Sequence, residues 1–258
     1  SSEKIIGRWL KKTGNRDRVI LCTKPSVDNA PDQLLRSLAG SLDRLATDRL
    51  DIYMLHFPSP EVPISETLHA LNEEVCAGRI GVIGCSNFSA AQLREALDAS
   101  AAHGHARFEI TQPPYNLVYQ DGEDDLFPLC TEEEIALTPH SPLANGFLTG
   151  KYRREQTRLP SRTRFDILPA HIPIYFHDRT WRLLERLRAK SSELGVPMVK
   201  LAMAWCMSHP DVTSVLVGAR ETRHIDNGIE ALATGLDPEL RAEMSAWNEP
   251  SDGAAGYF

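Results

Sequence analysis

Short apolar runs that end in a polar residue alternate, along most of this chain, with stretches whose apolar residues recur at helical spacing. The runs are residues 18–24 (RVILCTK), 51–56 (DIYMLH), 80–87 (IGVIGCSN), 108–112 (FEITQ), 135–141 (IALTPHS) and 212–218 (VTSVLVG). Around them, residues 3–12, 32–46, 64–77, 179–194, 197–208, 222–234 and 238–247 carry the helical period, and 122–133 carry it more weakly. Nearly continuous apolar runs of this length suit strands buried on both faces. Their alternation with helices predicts a parallel sheet covered by helices, hence the α/β class. Local punctuation agrees: Gly78 stands where a C′ glycine ends the helix over 64–77, and Ser89 followed by Gln92 reads as a capping box. The segment 142–174 is too long for an ordinary connection and is predicted to carry function. No internal repeat, low-complexity tract or linker interrupts the 258 residues, which read as one domain.

Six runs fit an open doubly wound sheet by count, but no GxGxxG follows the first of them, so the usual dinucleotide fingerprint is missing. The formal net charge of -7 disfavours non-specific binding to nucleic acid, whose phosphates attract basic surfaces. No uncharged apolar stretch approaches the ~20 residues that span a bilayer, so no membrane segment is expected. The amino terminus lacks the pattern of a signal peptide. The five cysteines are scattered without a CxxC pair or zinc-ligand spacing, as expected of reduced thiols in a cytoplasmic protein. Cys22, Cys85 and Cys206 sit inside apolar runs and are expected to be buried.

Active sites of parallel α/β folds lie at the carboxyl ends of strands. Here those ends read Lys24, His56, Ser86-Asn87, Gln112, His140-Ser141 and Gly218-Ala219-Arg220. One polar residue at a strand end is ordinary; six sets in succession, with a lysine and a histidine among them, point to a site. Lys24 alone would also read as a solvated lysine, and His56 as a hydrogen-bonded core histidine.

The stretches RDRVILCTK, RLDIYMLHFP, ETLHALNEEVCAGRIGVIGCSNFS, TQPPYNLV, HSPLANGFLTGKY and VTSVLVGAR resemble, in order and spacing, the aldo-keto reductase superfamily over nearly the whole chain. The resemblance implies a (β/α)8 TIM barrel, NADPH as cofactor, and reduction of a small-molecule aldehyde or ketone by hydride transfer. It also implies a tetrad of Asp, Tyr, Lys and His. Lys24 matches the lysine and His56 the histidine, while the Asp and Tyr, with the first two barrel strands, would precede Ser1. In the family pattern the tyrosine gives a proton to the carbonyl oxygen. The lysine's charge favours the phenolate, and the histidine orients the carbonyl and donates a hydrogen bond to it.

The resemblance extends to the cofactor. Ser86, Asn87 and Gln112 match residues that hold the nicotinamide carboxamide, a group with both a donor and an acceptor. His140 falls where the family has a Tyr or Trp stacked on the nicotinamide. Ser141, Leu143 and Lys151 match the loop around the pyrophosphate, with Arg162 and Arg164 as further clasps. Gly218, Ala219 and Arg220 would approach the adenosine phosphate at a helix N-terminus, where Arg220 suits a 2′-phosphate. His224 and Asn227 align with adenine-side residues, but the family's Glu-Asn pair is replaced here by Asn227-Gly228. Tyr115, Phe57 and Tyr175-Phe176 are candidates for a substrate pocket or for core packing. Two functions are compatible with this pattern: an NADPH-dependent carbonyl reductase, or a truncated, catalytically inactive cofactor-binding or regulatory protein of the same fold.

Overall fold

The computed structural model describes residues 2–25 and 28–248. The expected alternation is there. Helix α1 (Ser2–Thr13) precedes β1 (Cys22–Thr23), α2 (Pro31–Leu45), β2 (Leu50–Leu55), α3 (Ile64–Cys76), β3 (Ile80–Ser86), α4 (Ala90–His103) and β4 (Phe108–Gln112). Then come α5 (Leu126–Glu132), β5 (Ala136–Leu137), the short helices α6 (Arg164–Ile167) and α7 (Ile172–Tyr175), and the longer α8 (Asp178–Leu194), α9 (Met198–Met207), α10 (Thr222–Thr234) and α11 (Pro238–Ser245). The strands lie in the order β1-β2-β3-β4-β5, and the first four pair in parallel. The chain divides into two compact units, Ser1–Gln112 with Leu129–Ala136 and Pro113–Pro128 with Leu137–Phe258.

In the first unit, β2 and β3 form the centre of the sheet, with Tyr53, Met54, Leu55, Ile83 and Cys85 fully buried. Helix α2 turns Leu34, Leu38 and Leu45 inward, each burial stabilising by about 2 kcal/mol. Helix α4 starts on the predicted capping box: Ser89 Oγ accepts from Gln92 N at 3.2 Å, and Gln92 Oε1 accepts from Ser89 N at 3.0 Å. Gly78 has φ +73°, as a residue closing α3 requires. Helix α1 corrects its expectation in part. Of its apolar residues Leu10 is buried, but Ile5, Ile6 and Trp9 are exposed. Its closest approach to α2 is at Gly7, where a Cβ would collide with the Arg44 carbonyl. A polar clasp completes the contact: Glu3 accepts from Arg44 Nε at 2.6 Å and from Thr23 Oγ1 at 2.8 Å.

Three further expectations are corrected. The run 212–218 is not a strand; it makes one parallel bridge, Val212 to Leu137, and Thr213 N and Leu216 N donate to the Leu137 and Pro139 carbonyls. Its residues from 213 to 218 are mostly exposed, and a single bridge does not make a ladder. Among the described residues the sheet therefore has five strands and is not closed by hydrogen bonds. Cys22 is exposed; the buried thiols are Cys85, Cys130 and Cys206. Strand β1 is only two residues long and pairs on one side, with β2, which leaves Cys22 at an edge. Finally, 142–174 is no open loop. It folds into α6, α7 and short 3-10 turns around a cluster in which Phe147, Tyr152, Phe165 and Tyr175 are fully buried. Their rings, with Phe176 and Trp181, meet at centroid distances such as 4.9 Å (Phe147 to Trp181) and 5.0 Å (Phe165 to Phe176).

Candidate active site

The first unit gathers five of the predicted residues at the carboxyl ends of β1 to β4. Ser86 and Gln112 are direct neighbours across β3 and β4, and Ser86 Oγ donates to the Gln112 carbonyl at 2.7 Å. Lys24 Nζ donates to Gln112 Oε1. Asn87, one residue past β3, has φ +63°, a left-handed conformation that asparagine tolerates better than most residues. Its Nδ2 donates to the His56 carbonyl at 2.8 Å and so ties the ends of β2 and β3. The His56 ring stacks on Phe57 at 4.5 Å.

Electrostatics distinguish this group from a solvated surface. Burial pushes the Lys24 ammonium below its usual range, and no described carboxylate pairs with it. Burial, then the charge of Lys24, pushes His56 down, against a hydrogen bond with the Pro25 backbone. The imidazole is therefore neutral at neutral pH, with a single N–H, which donates to the Pro25 carbonyl. Gln112 is buried and its Oε1 is engaged by Lys24, yet no described residue accepts from its Nε2. An amide N–H donor at this strand end suits a carboxamide oxygen.

The second unit holds the other predicted residues. His140 Nδ1 lies 3.0 Å from Ser141 Oγ. The chain turns sharply here, with φ of +60° at Ser141, +48° at Ala144, +55° at Asn145 and +92° at Gly146. The Leu143 side chain, partly buried, packs on the core formed by Met203, Ala204 and Ala231. Its carbonyl already accepts from Gly146 N at 2.8 Å and Leu148 N at 3.2 Å. The side chain of Lys151 passes close to Gly146, where a Cβ would stand 2.9 Å from Nζ. Arg220 Nη1 donates to the Arg162 carbonyl at 2.8 Å, and Arg220 N donates to His224 Nδ1 at 3.1 Å. Partial burial and the nearby charge of Arg220 both lower the pKa of Lys151. Two cations are thus held close enough to repel, and neither forms an ion pair with a described carboxylate. A phosphate is the chemistry that relieves this. Gly218 and Ala219 precede α10, a Cβ on Gly218 would meet nothing within 4 Å, and Asn227 lies one turn along α10 from His224. Arg164 begins α6.

Tyr115 and Tyr175 are fully buried core residues rather than pocket candidates; Phe57 is exposed. Tyr115 belongs to a polar network that the sequence reading missed. Its hydroxyl donates to Glu123 and accepts from Arg241 Nη2 at 2.7 Å, and Arg241 Nη2 also reaches Glu123 Oε1 at 3.0 Å. No sequence pattern links positions so far apart. The turn at 144–146 was more legible, since Asn145-Gly146 is a turn dipeptide. Among the described residues no group of three His, Cys, Asp or Glu side chains is arranged to hold a metal ion.

The model of the aldo/keto reductase family matches residues 1–249. The chain belongs to that family. The family's fold is the (β/α)8 barrel, of which the parallel sheet and its helices are part. Aldo-keto reductase YhdN of Bacillus subtilis (strain 168) is 32% identical over 95% of this chain and 74% of its own length. A probable voltage-gated potassium channel subunit beta of Oryza sativa subsp. japonica is also 32% identical, over 95% of this chain and 78% of its own. Aldo-keto reductase yakc [NADP(+)] of Schizosaccharomyces pombe is 28% identical over 95% and 74%. Membership supports an oxidoreductase.

Proposed function

We propose that this protein is an NADPH-dependent reductase that converts a small aldehyde or ketone to an alcohol in the cytoplasm. The observation that carries the reading is the grouping of Lys24, His56, Ser86, Asn87 and Gln112 at consecutive strand ends, with Lys24 and His56 both lowered by burial. NADPH would supply the hydride. Gln112, with Ser86 and Asn87, would hold its carboxamide. His56, neutral, would turn its one N–H from the Pro25 carbonyl to the substrate carbonyl, and the Lys24 ammonium would stabilise negative charge as it develops on that oxygen or on its proton donor. The pair Lys151 and Arg220 fits the cofactor phosphates, with Arg220 on the 2′-phosphate. His224 supports this indirectly, since its ring accepts from the Arg220 backbone. The five free cysteines and the absence, among the described residues, of a helix long and apolar enough to cross a membrane are compatible with this setting. The NADP(+) in one relative's name points the same way.

The test is NADPH oxidation with an aromatic aldehyde, alongside NADPH binding read by its fluorescence. Lys24→Met and His56→Ala are expected to lower turnover by roughly 100-fold or more, the usual scale of such groups, while cofactor binding persists. Full turnover in both variants would remove the assigned roles. The potassium-channel relatives favour a second reading, a cofactor-binding partner protein. Tight NADPH binding with no turnover on any of a broad carbonyl panel would select it.

A further inference from the structure

We infer that Asn116 is the positioning residue of the proposed phosphate loop: its side-chain amide holds the Ser141 turn in shape. This inference rests on the cofactor reading above. Asn116 is completely buried and uses both ends of its amide. Its Oδ1 accepts from Val118 N at 3.0 Å and Tyr119 N at 3.2 Å, which closes its own turn together with reciprocal backbone bonds between Asn116 and Tyr119. Its Nδ2 donates to the Ser141 carbonyl at 3.1 Å. That carbonyl also accepts from Ala144 N at 2.8 Å, so the turn that starts the loop hangs on one oxygen with two donors.

The need for such an anchor follows from the backbone. Ser141, Ala144 and Asn145 are all left-handed, which is unfavourable for residues with a Cβ, and such conformations persist only where the surroundings over-determine them. Flanking bonds set the register: Tyr115 N donates to the His140 carbonyl at 3.1 Å, and His140 N donates to the Pro113 carbonyl at 2.9 Å. Asn116 adds the side-chain bond that reaches past His140 into the turn itself. The residue type is specific. Aspartate keeps the acceptor and loses the donor, glutamine is one carbon too long, and alanine loses both. Lys151, whose side chain lies against Gly146, depends on this turn for its position.

The experiment compares Asn116→Asp and Asn116→Ala with Tyr115→Phe, in the full chain at pH 8.5. Amide exchange at Ala144 reads the turn without any cofactor, and NADPH fluorescence reads the site. The expected result is exchange at Ala144 about 10-fold faster in both Asn116 variants, with the NADPH Kd raised about 10-fold. Tyr115→Phe removes the hydroxyl's bonds to Glu123 and Arg241 and is expected to lower the melting temperature while leaving both readouts near wild type. If Asn116→Asp behaves as wild type, the donor has no role and the inference falls. It falls too if Tyr115→Phe shifts both readouts as much as Asn116→Asp, because the effect is then general loosening. Faster exchange with an unchanged Kd would overturn the link to the cofactor. If the wild-type protein has no affinity for NADPH, the cofactor reading fails, and the Ala144 exchange alone upholds or overturns the hold of Asn116 on the turn.

Discussion

Five cysteines divide into two chemical kinds by their surroundings. Cys85, Cys130 and Cys206 are sealed in the core. Burial pushes the Cys85 thiol up to about 12 and the Cys206 thiol higher still, so neither supplies thiolate at neutral pH. Cys22 and Cys76 are exposed. Partial burial raises the Cys22 thiol, against the pull of the Lys24 charge, so it should be the slower of the two. An aromatic disulfide reagent is expected to titrate two thiols in the native protein and five after unfolding. Three or more fast thiols in the native state would contradict the buried assignment. The sequence sorted these residues by the apolarity of their neighbours, which succeeded for Cys85 and Cys206 and failed for Cys22. The run VILCT is as apolar as IGVIGC, but exposure is decided by how many strands flank a position, and β1 has one partner. The same limit applies to site residues. The gathering of Lys24, His56 and Gln112 at one end of the sheet was legible because a polar residue at a strand end has a known direction of approach. Asn116 was not, because its partner Ser141 lies 25 residues away.

Strands β3 and β4 show why a glycine can matter more than any side chain beside it. Their register shifts between Ile83 and Gly84, and a Cβ on Gly84 would stand 2.5 Å from both the Ile110 carbonyl oxygen and its Cγ2. Gly84→Ala must push two central strands apart, immediately before Ser86 and Asn87. It is expected to destabilise the fold by about 2 kcal/mol or more, in the range of overpacked cores, as read by urea denaturation. Gly104→Ala, where a Cβ meets nothing within 4 Å, is the control and should cost less, through its left-handed φ of +63° alone. Equal losses in the two variants would show that the strand approach is not the cause. Strongly periodic elements were the most legible: α2, α3, α8, α9 and α10 begin and end within a residue or two of their sequence patterns, and α4 begins on its capping box. Strand pairing was less so. Residues 212–218 read as a strand from composition, but a ladder needs consecutive bridges to one neighbour, and this segment makes a single isolated bridge. Residues 142–174 read as loop because their aromatic residues follow no single period, and they are organised by ring packing instead.

Across the whole molecule, several shifted groups push the pH dependence of stability in one direction. His56, His177 and His209 all have pKa values lowered from the ordinary 6.5, with burial as the first cause of each. For His209 the charge of Arg241 adds to burial, while Glu123 and Asp211 pull the other way. Its Nδ1 also accepts from Asp211 N at 3.2 Å, a bond made by the neutral ring. A group with a depressed folded pKa binds its proton more readily in the unfolded chain. Its contribution is complete above 6.5 and is lost as pH falls below that value toward the folded pKa. The carboxylates add a second stage. Asp51 and Glu3 are lowered from 3.8 and 4.5, because bonds from Leu21 N and Arg16, and from Arg44 and Thr23, outweigh their burial. Their contribution is lost as pH falls through and below the ordinary carboxylate range. The urea midpoint should therefore be flat from pH 8 to 7, fall between 6.5 and 5, and fall again below 4.5. His209→Gln should be less stable at pH 8 but show a shallower fall between 6.5 and 5, because the variant has one titrating group fewer. A wild-type midpoint that stays level down to pH 5, or a variant with the full wild-type slope, would show that these half-buried histidines are not what acid attacks first.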